Sequence, residues 1–263
     1  ALESGVGRIV VDNIAELELL GALAKAAGKT ASVLFRIKPG IDAHTHEFIR
    51  TGQVDSKFGL DLASGEAMDA LRRASELEHV VVKGLHCHIG SQILEKAPFV
   101  HAAEVMLQFF AQVREELGTT FEHLNLGGGF GIHYTERDDA IPYEEYMEDV
   151  SAMVHAKCRE LGLDLPYIFI EPGRSIVGEA GITLYTVGNI KHIPGVRDYV
   201  AIDGGMFDNP RYALYQSAYT CILANKAGEP ADYTATIAGK CCESGDLIQE
   251  HTLIQKPEEG DIL

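Results

Sequence analysis

An α/β fold followed by a β-rich module is what this sequence predicts, on three observations. Between Arg8 and Arg174, apolar strand-like runs alternate with amphipathic helical stretches through five units. The runs are almost continuously apolar, as in a parallel sheet buried on both faces. Each chemically rich stretch follows the C-terminal end of a strand, the end at which α/β barrels build their active sites. A doubly wound sheet is the competing architecture, but nothing marks its switch point. The expectation is a partial (β/α)8 TIM barrel, five of eight units, over residues 1–176, then part of an antiparallel β domain over residues 177–263.

Ala1 to Gly7 reads as the end of a helix and its cap, and a β-branched strand, Arg8 to Asp12, follows at once. Asn13 caps a helical run through Leu17, Leu20, Leu23 and Ala24 that Gly28 ends. Ser32 to Ile37 is the next strand, stopped by Pro39-Gly40. A long polar loop from Ile41 to Gly59 carries His44, His46, Thr51, Gly52 and Ser56-Lys57-Phe58-Gly59. Helices over Met68–Leu77, Phe99–Leu117 and Tyr143–Leu161 alternate with strands over Val80–His88, Leu124–Leu126 and Tyr167–Ile170. Beyond Ser175 the β-type runs Ile182–Val187, Tyr199–Asp203 and Tyr233–Ala238 are separated by turns. The chain stops at Asp261-Ile262-Leu263 without a capping element, so it is expected to be part of a longer protein.

The bulk numbers exclude several classes. A net charge of −17 with no basic block argues against nucleic acid and anionic membrane surfaces as partners. No apolar run approaches transmembrane length, and no signal pattern opens the chain. Five irregularly spaced cysteines, two of them adjacent, make no disulfide framework; a reducing cytoplasm is expected.

The chain is organised around Leu124-Asn125-Leu126-Gly127-Gly128-Gly129-Phe130-Gly131. A glycine triplet sacrifices backbone entropy, so the bare backbone must be needed, either for a tight turn or for amides converging on an anion such as phosphate. Neither common nucleotide motif fits the spacing. In His86-Cys87-His88-Ile89-Gly90-Ser91, alternation puts His86 and His88 on one face and Cys87 on the other. That pair suits a zinc site, a satisfied structural pair, or a ring stacked on an aromatic cofactor with Ser91 reaching an anion.

Glu171-Pro172-Gly173-Arg174 sets a carboxylate, a free amide and a guanidinium fork at a strand end. An internal ion pair is the plain alternative. Arg211 and Tyr215 share a helix face if that stretch is helical. Cys241-Cys242-Glu243-Ser244-Gly245-Asp246 suits a proton donor better than a thiolate nucleophile, unless it is simply an acidic turn.

His-Ile-Gly-Ser-Gln at 88–92, Gly-Gly-Gly-Phe-Gly at 127–131, Glu-Pro-Gly-Arg at 171–174, Asp-Asn-Pro-Arg at 208–211 and Cys-Glu-Ser-Gly-Asp at 242–246 occur in that order. Together they resemble the alanine-racemase-like, fold type III group of pyridoxal-phosphate decarboxylases. Within it they resemble the diaminopimelate decarboxylase branch, as does Ser56-Lys57-Phe58-Gly59; the ornithine and arginine branches carry Cys-Asp-x-x-Asp at the last motif.

The resemblance implies pyridoxal 5'-phosphate as cofactor and decarboxylation of meso-2,6-diaminopimelate to L-lysine. Gly128, Gly129 and Ser91 would hold the phosphate with an amide from Gly173, and His88 would stack on the pyridine ring. Glu171 would keep the ring nitrogen protonated, where a racemase of this fold has arginine. Arg174, Arg211 and Tyr215 would grip the distal end of the substrate. Cys242, Glu243 and Ser244 would enter the neighbouring subunit's site, with Cys242 protonating the carbanion, which implies a homodimer and a catalytic set of Cys242, Glu243 and Glu171. No metal is implied. The family's cofactor-linking lysine lies on a first strand that the chain lacks, with two further units and a C-terminal stretch carrying a phosphate-contacting tyrosine; Lys38 and Lys57 do not match that lysine's context. The chain alone would then be inactive. Decarboxylation of carboxynorspermidine, ornithine or arginine, and a non-catalytic homologue, are the alternatives.

Overall fold

The computed structural model describes residues 1–41 and 56–263, in two compact units: 1–132 with 140–178, and 133–139 with 179–263. The part of the expected polar loop holding His44, His46, Thr51 and Gly52 lies outside the described residues.

The first unit is a parallel sheet with helices between its strands. In chain order these are β1 (Ile9–Val11), α1 (Ile14–Ala26), β2 (Ala31–Lys38), β3 (Leu60–Asp61), α2 (Glu66–Ser75), β4 (Val80–Cys87), α3 (Ala97–Leu117), β5 (His123–Asn125), α4 (Tyr143–Leu161), β6 (Tyr167–Phe169) and α5 (Arg174–Val177). The strands lie in the order β1-β2-β4-β5-β6, with β3 a short addition beside β2, and every pair is parallel. Strand order follows chain order without reversal, as in a barrel wall and unlike a doubly wound sheet.

The helices form where local chemistry says they should. The Asn13 side chain accepts from the Glu16 N–H at 2.9 Å to start α1. Gly118 and Gly162 end α3 and α4 in the left-handed conformation, satisfying late carbonyls at Arg114 and Cys158.

The long helices α1 to α4 cover one face of the sheet. Val33, Phe35, Ile37, Leu85, Cys87 and Leu124 point to that face and share one buried cluster with Leu17, Met68, Phe99 and Phe110. The other face departs from the expected near-continuous apolar pattern. Alternate residues there are polar: Arg36 pairs with His86, His86 with Asn125, and Asn125 with Phe169 in register. One layer lower, the Arg8 guanidinium meets both ring nitrogens of His123, at 3.1 and 2.9 Å. Gly84 makes that register possible, since a Cβ there would stand 1.8 Å from the His123 carbonyl oxygen. A polar face opposite a helix-covered one is the interior lining of a barrel wall.

The second unit holds β7 (Val187–Ile193), β8 (Arg197–Ile202), α6 (Arg211–Tyr215), β9 (Tyr233–Ala238) and β10 (Leu247–Ile254). Its sheet runs β10-β9-β8-β7 around a core of Tyr185, Val187, Val200, Ile202, Leu223, Ile237 and Ile248. The outer pairs are antiparallel, but β8 and β9 are parallel, so the sheet is mixed where an antiparallel one was expected. The expected strand at Ile182–Val187 contributes only its end to β7; Tyr185 and Val187 instead donate to the carbonyls of Leu263 and Asp261. Among the described residues no helix is long and apolar enough to cross a membrane.

Candidate active site

The polar row ends at the C-terminal edge of the sheet, and two residues further along each chain come His88, Gly127 and Glu171. The ladder continues past the strands: Leu126 N–H donates to the Phe169 carbonyl at 2.9 Å, and Glu171 N–H to the Gly127 carbonyl at 2.8 Å. The glycine loop and the carboxylate therefore sit side by side because their strands do.

The glycines are needed for close approach. A Cβ at Gly127 (φ +71°) would stand 2.5 Å from the Cys87 carbonyl oxygen, at Gly128 2.2 Å from that of Glu171, and at Gly129 (φ +102°) 2.2 Å from that of Gly90. The loop is thus wedged between the chain ends that follow β4 and β6. Gly127 N–H donates to Asn125 Oδ1 at 2.8 Å and Gly128 N–H to His88 Nδ1 at 3.2 Å. Phe130 seals the underside, stacked on Phe99 with ring centroids 4.8 Å apart.

Glu171 is gripped from two strands. Asn125 Nδ2 donates to its Oε1 at 2.8 Å, and His86 Nε2 lies 3.4 Å from each carboxylate oxygen. Hydrogen bonding to His86 first, then the charge of His86 and the Asn125 amide, hold the carboxyl at about 2 against the penalty of burial. It is ionised at neutral pH, and 48% of its side chain stays exposed, so a ligand can reach it. Burial, then the charges of Arg36 and His86, depresses the His88 imidazole to about 4, which keeps it neutral. Burial raises the Cys87 thiol to about 12, on the opposite face among the core residues.

Gly173 precedes α5 with nothing near the place a Cβ would take, and Arg174 opens that helix with Nη1 3.5 Å from Gln92 Oε1. Gln92 also donates to the Ile132 carbonyl at 2.6 Å, strapping the segment after β4 to the end of the glycine loop. Ser91 lies in the bend between Gly90 and Gln92. The structure brings together Glu171, His88 and the glycines that the sequence singled out; it turns His86, which the sequence paired with His88, toward Glu171, and it adds Asn125 and Gln92, to which sequence reasoning gave no role. The one available signal was alternation, which puts Asn125 on the face of Gly127 as it puts His86 on that of His88.

In the second unit, Arg211 and Tyr215 do share a face of α6, the guanidinium lying 5.6 Å from the Tyr215 ring and 5.0 Å from that of Tyr134. Arg211 Nη2 donates to Ser217 Oγ at 3.2 Å, while its Nε is buried without a partner among the described residues. Cys242, Glu243 and Ser244 are exposed on a separate turn before β10. Asp246 anchors that turn: 2% exposed, it accepts from Cys241 N–H at 2.7 Å and Met206 N–H at 2.5 Å.

Comparison with known proteins agrees with this geometry. Residues 1–178 match the family model described as pyridoxal-dependent decarboxylase, pyridoxal binding domain. Over its whole length the chain is 51% identical to a diaminopimelate decarboxylase of Bacillus subtilis, covering 60% of that protein. It is 47% identical to one of Staphylococcus aureus, again over its whole length and covering 61% of the relative. The crystal structure of diaminopimelate decarboxylase from M. jannaschii in co-complex with L-lysine superposes with a TM-score of 0.86 at 37% identity, over 99% of this chain and 58% of the other. That of Helicobacter pylori, also complexed with L-lysine, gives 0.85 at 30% identity, over 100% and 62%. The chain therefore spans about three fifths of the length of these relatives.

Proposed function

This chain belongs to the pyridoxal-dependent decarboxylases, and on that premise we propose that the protein converts meso-2,6-diaminopimelate to L-lysine and CO2, as a cytoplasmic homodimer. The observation that carries the proposal is the ionised carboxylate of Glu171, held about 2 in pKa and tied through its own N–H to Gly127 of the glycine loop at 2.8 Å. An aromatic phosphate with a basic ring nitrogen needs those two features adjacent. The residues fit: the backbone wedge has no room for side chains, His86 Nδ1 is a buried polar atom lacking a partner among the described residues, and the carboxylate is open to a ligand.

Pyridoxal phosphate, when bound, supplies an electron sink for the pair left on Cα as CO2 departs. In this reading Gly128, Gly129 and Ser91 bind its phosphate with the Gly173 amide, and the neutral His88 ring packs against the pyridine. Glu171 holds a proton on the ring nitrogen, which a carboxylate does and an arginine would not. Arg174, Arg211 and Tyr215 orient the distal amino-acid group of the substrate. Cys242, Glu243 and Ser244 act in the partner subunit's site, with Cys242 delivering the proton that replaces CO2.

The test is CO2 release by the full-length protein supplied in turn with meso-diaminopimelate, carboxynorspermidine, ornithine and arginine. Turnover of diaminopimelate above the others is expected. Preference for another substrate, or none with any, rejects the assignment. Glu171→Gln, which keeps the shape and removes the charge, should lower kcat by about 100-fold or more, as when a matched charge at a reacting centre is lost.

A further inference from the structure

We propose that Asn125 is a positioning residue that couples the two ends of the cofactor site: it fastens Glu171 by one oxygen and the glycine loop by Gly127, so that seating the phosphate and presenting the carboxylate are one event. The inference deepens the reading above and rests on it.

The geometry is a closed ring of hydrogen bonds. Asn125 Oδ1 accepts from Gly127 N–H at 2.8 Å, Asn125 Nδ2 donates to Glu171 Oε1 at 2.8 Å, and Glu171 N–H returns to the Gly127 carbonyl at 2.8 Å. The amide orientation follows from the partners. Gly127 N–H is a donor and the Glu171 carboxylate offers only acceptors, so oxygen must face the loop and nitrogen the carboxylate. Asn125 is 7% exposed, in register between His86 and Phe169, so it has little freedom to turn away.

His86 cannot do the same task. Its Nε2 lies 3.4 Å from both Glu171 oxygens, so it supports the carboxylate without choosing between them. Asn125 chooses. By occupying Oε1 it leaves Oε2 as the oxygen to meet a ring N–H. Any shift of Gly127 when an anion settles on the loop is passed to Glu171 through both the side-chain amide and the Glu171 N–H.

The decisive substitution is Asn125→Asp. It keeps the acceptor for Gly127 N–H and the side-chain shape, but faces a carboxylate with a carboxylate. In the full-length protein, the dissociation constant for pyridoxal phosphate is measured by absorbance titration for wild type, N125D and N125A, each also in an E171A background, with circular dichroism as the check of folding. Both single variants should bind about tenfold more weakly, the worth of one hydrogen bond to a charged group. In the E171A background N125D, which keeps the acceptor for Gly127 N–H, should cost less than about twofold, since coupled sites are not additive, and N125A should keep only the loss that comes from the Gly127 bond. Relative to wild type, N125D should recover affinity as the pH falls and the introduced carboxyl gains a proton to donate. Wild-type affinity in N125D, or an equal loss with and without Glu171, overturns the coupling, because Asn125 then serves only the loop. A wild-type protein that binds no pyridoxal phosphate overturns the functional reading and this inference together, whereas binding that is insensitive to residue 125 removes the inference alone.

Discussion

The carbonyl oxygen of Glu171 presses so closely on Gly128 that a Cβ at that glycine would stand 2.2 Å away. The obstacle is backbone, not the end of a flexible side chain, so neither partner can turn aside. This contact sets the spacing between the glycine loop and the residue that follows β6.

Gly128→Ala should therefore move both together. We expect a stability loss of about 1–3 kcal/mol, the usual penalty of overpacking a close contact, measured by urea denaturation, together with weakened pyridoxal phosphate binding. Gly173→Ala is the matched control. Nothing lies within 4 Å of the position its Cβ would take, and its φ of −106° suits any residue. It should stay within about 0.5 kcal/mol of wild type.

The state of His88 gives a pH prediction. Burial, aided by the charges of Arg36 and His86, lowers its pKa from 6.5 to about 4. The unfolded chain then binds a proton first, so the protein loses stability as pH falls from about 6.5 through about 4, and this loss levels off below. Histidine ring NMR of the cofactor-free protein should show the His88 resonance neutral at pH 5.5. A midpoint near 6.5 would contradict the burial that the structure gives it.

What the sequence disclosed, and what it hid, divides along physical lines. The bounds of α4 are legible because Pro142 cannot continue a helix backward and Gly162 takes the left-handed turn that ends it. The site motifs were legible because unusual residues, three glycines and a Glu-Pro-Gly-Arg, mark chain positions where ordinary packing would choose otherwise. The polar interior face was not, since Arg36, His86 and Asn125 each sit singly between apolar neighbours and only the register of two strand pairings makes them a row. The parallel pairing of β8 with β9 escaped for the same reason: composition specifies a strand, and its partner is chosen by tertiary packing. Residues 182–187 are β-type in composition, yet their backbone partners lie far along the chain, at Asp261 and Leu263, a separation local patterns do not encode.

Asp246 closes the motif that carries Cys242, but its part is architectural. Its carboxylate is 2% exposed, takes the N–H groups of Met206 and Cys241, and lies where a Cβ on Gly239 would stand 2.3 Å from Oδ2. Asp246→Ala would strand two amides, at about 1–3 kcal/mol for each buried group left unsatisfied. The expected result is a lower urea midpoint and faster proteolysis of the turn. An unchanged midpoint would show that the amides find water and that the turn holds itself.

The proposed sharing of the active site between subunits has a sharper test than either substitution alone. Glu171 and Cys242 lie in different units of the chain, Glu171 beside the glycine loop and Cys242 exposed on the turn before β10. If each site takes Glu171 from one subunit and Cys242 from the other, then E171Q and C242A homodimers both contain two defective sites. In a mixed dimer, both defects fall in one site and the other site is intact. Random exchange makes half of all dimers mixed, so the mixture should regain about one quarter of wild-type activity. The measurement is CO2 release by full-length E171Q and C242A proteins before and after co-refolding in equal amounts. A site built within one subunit predicts no recovery, because every site in the mixture would then carry one defect or the other.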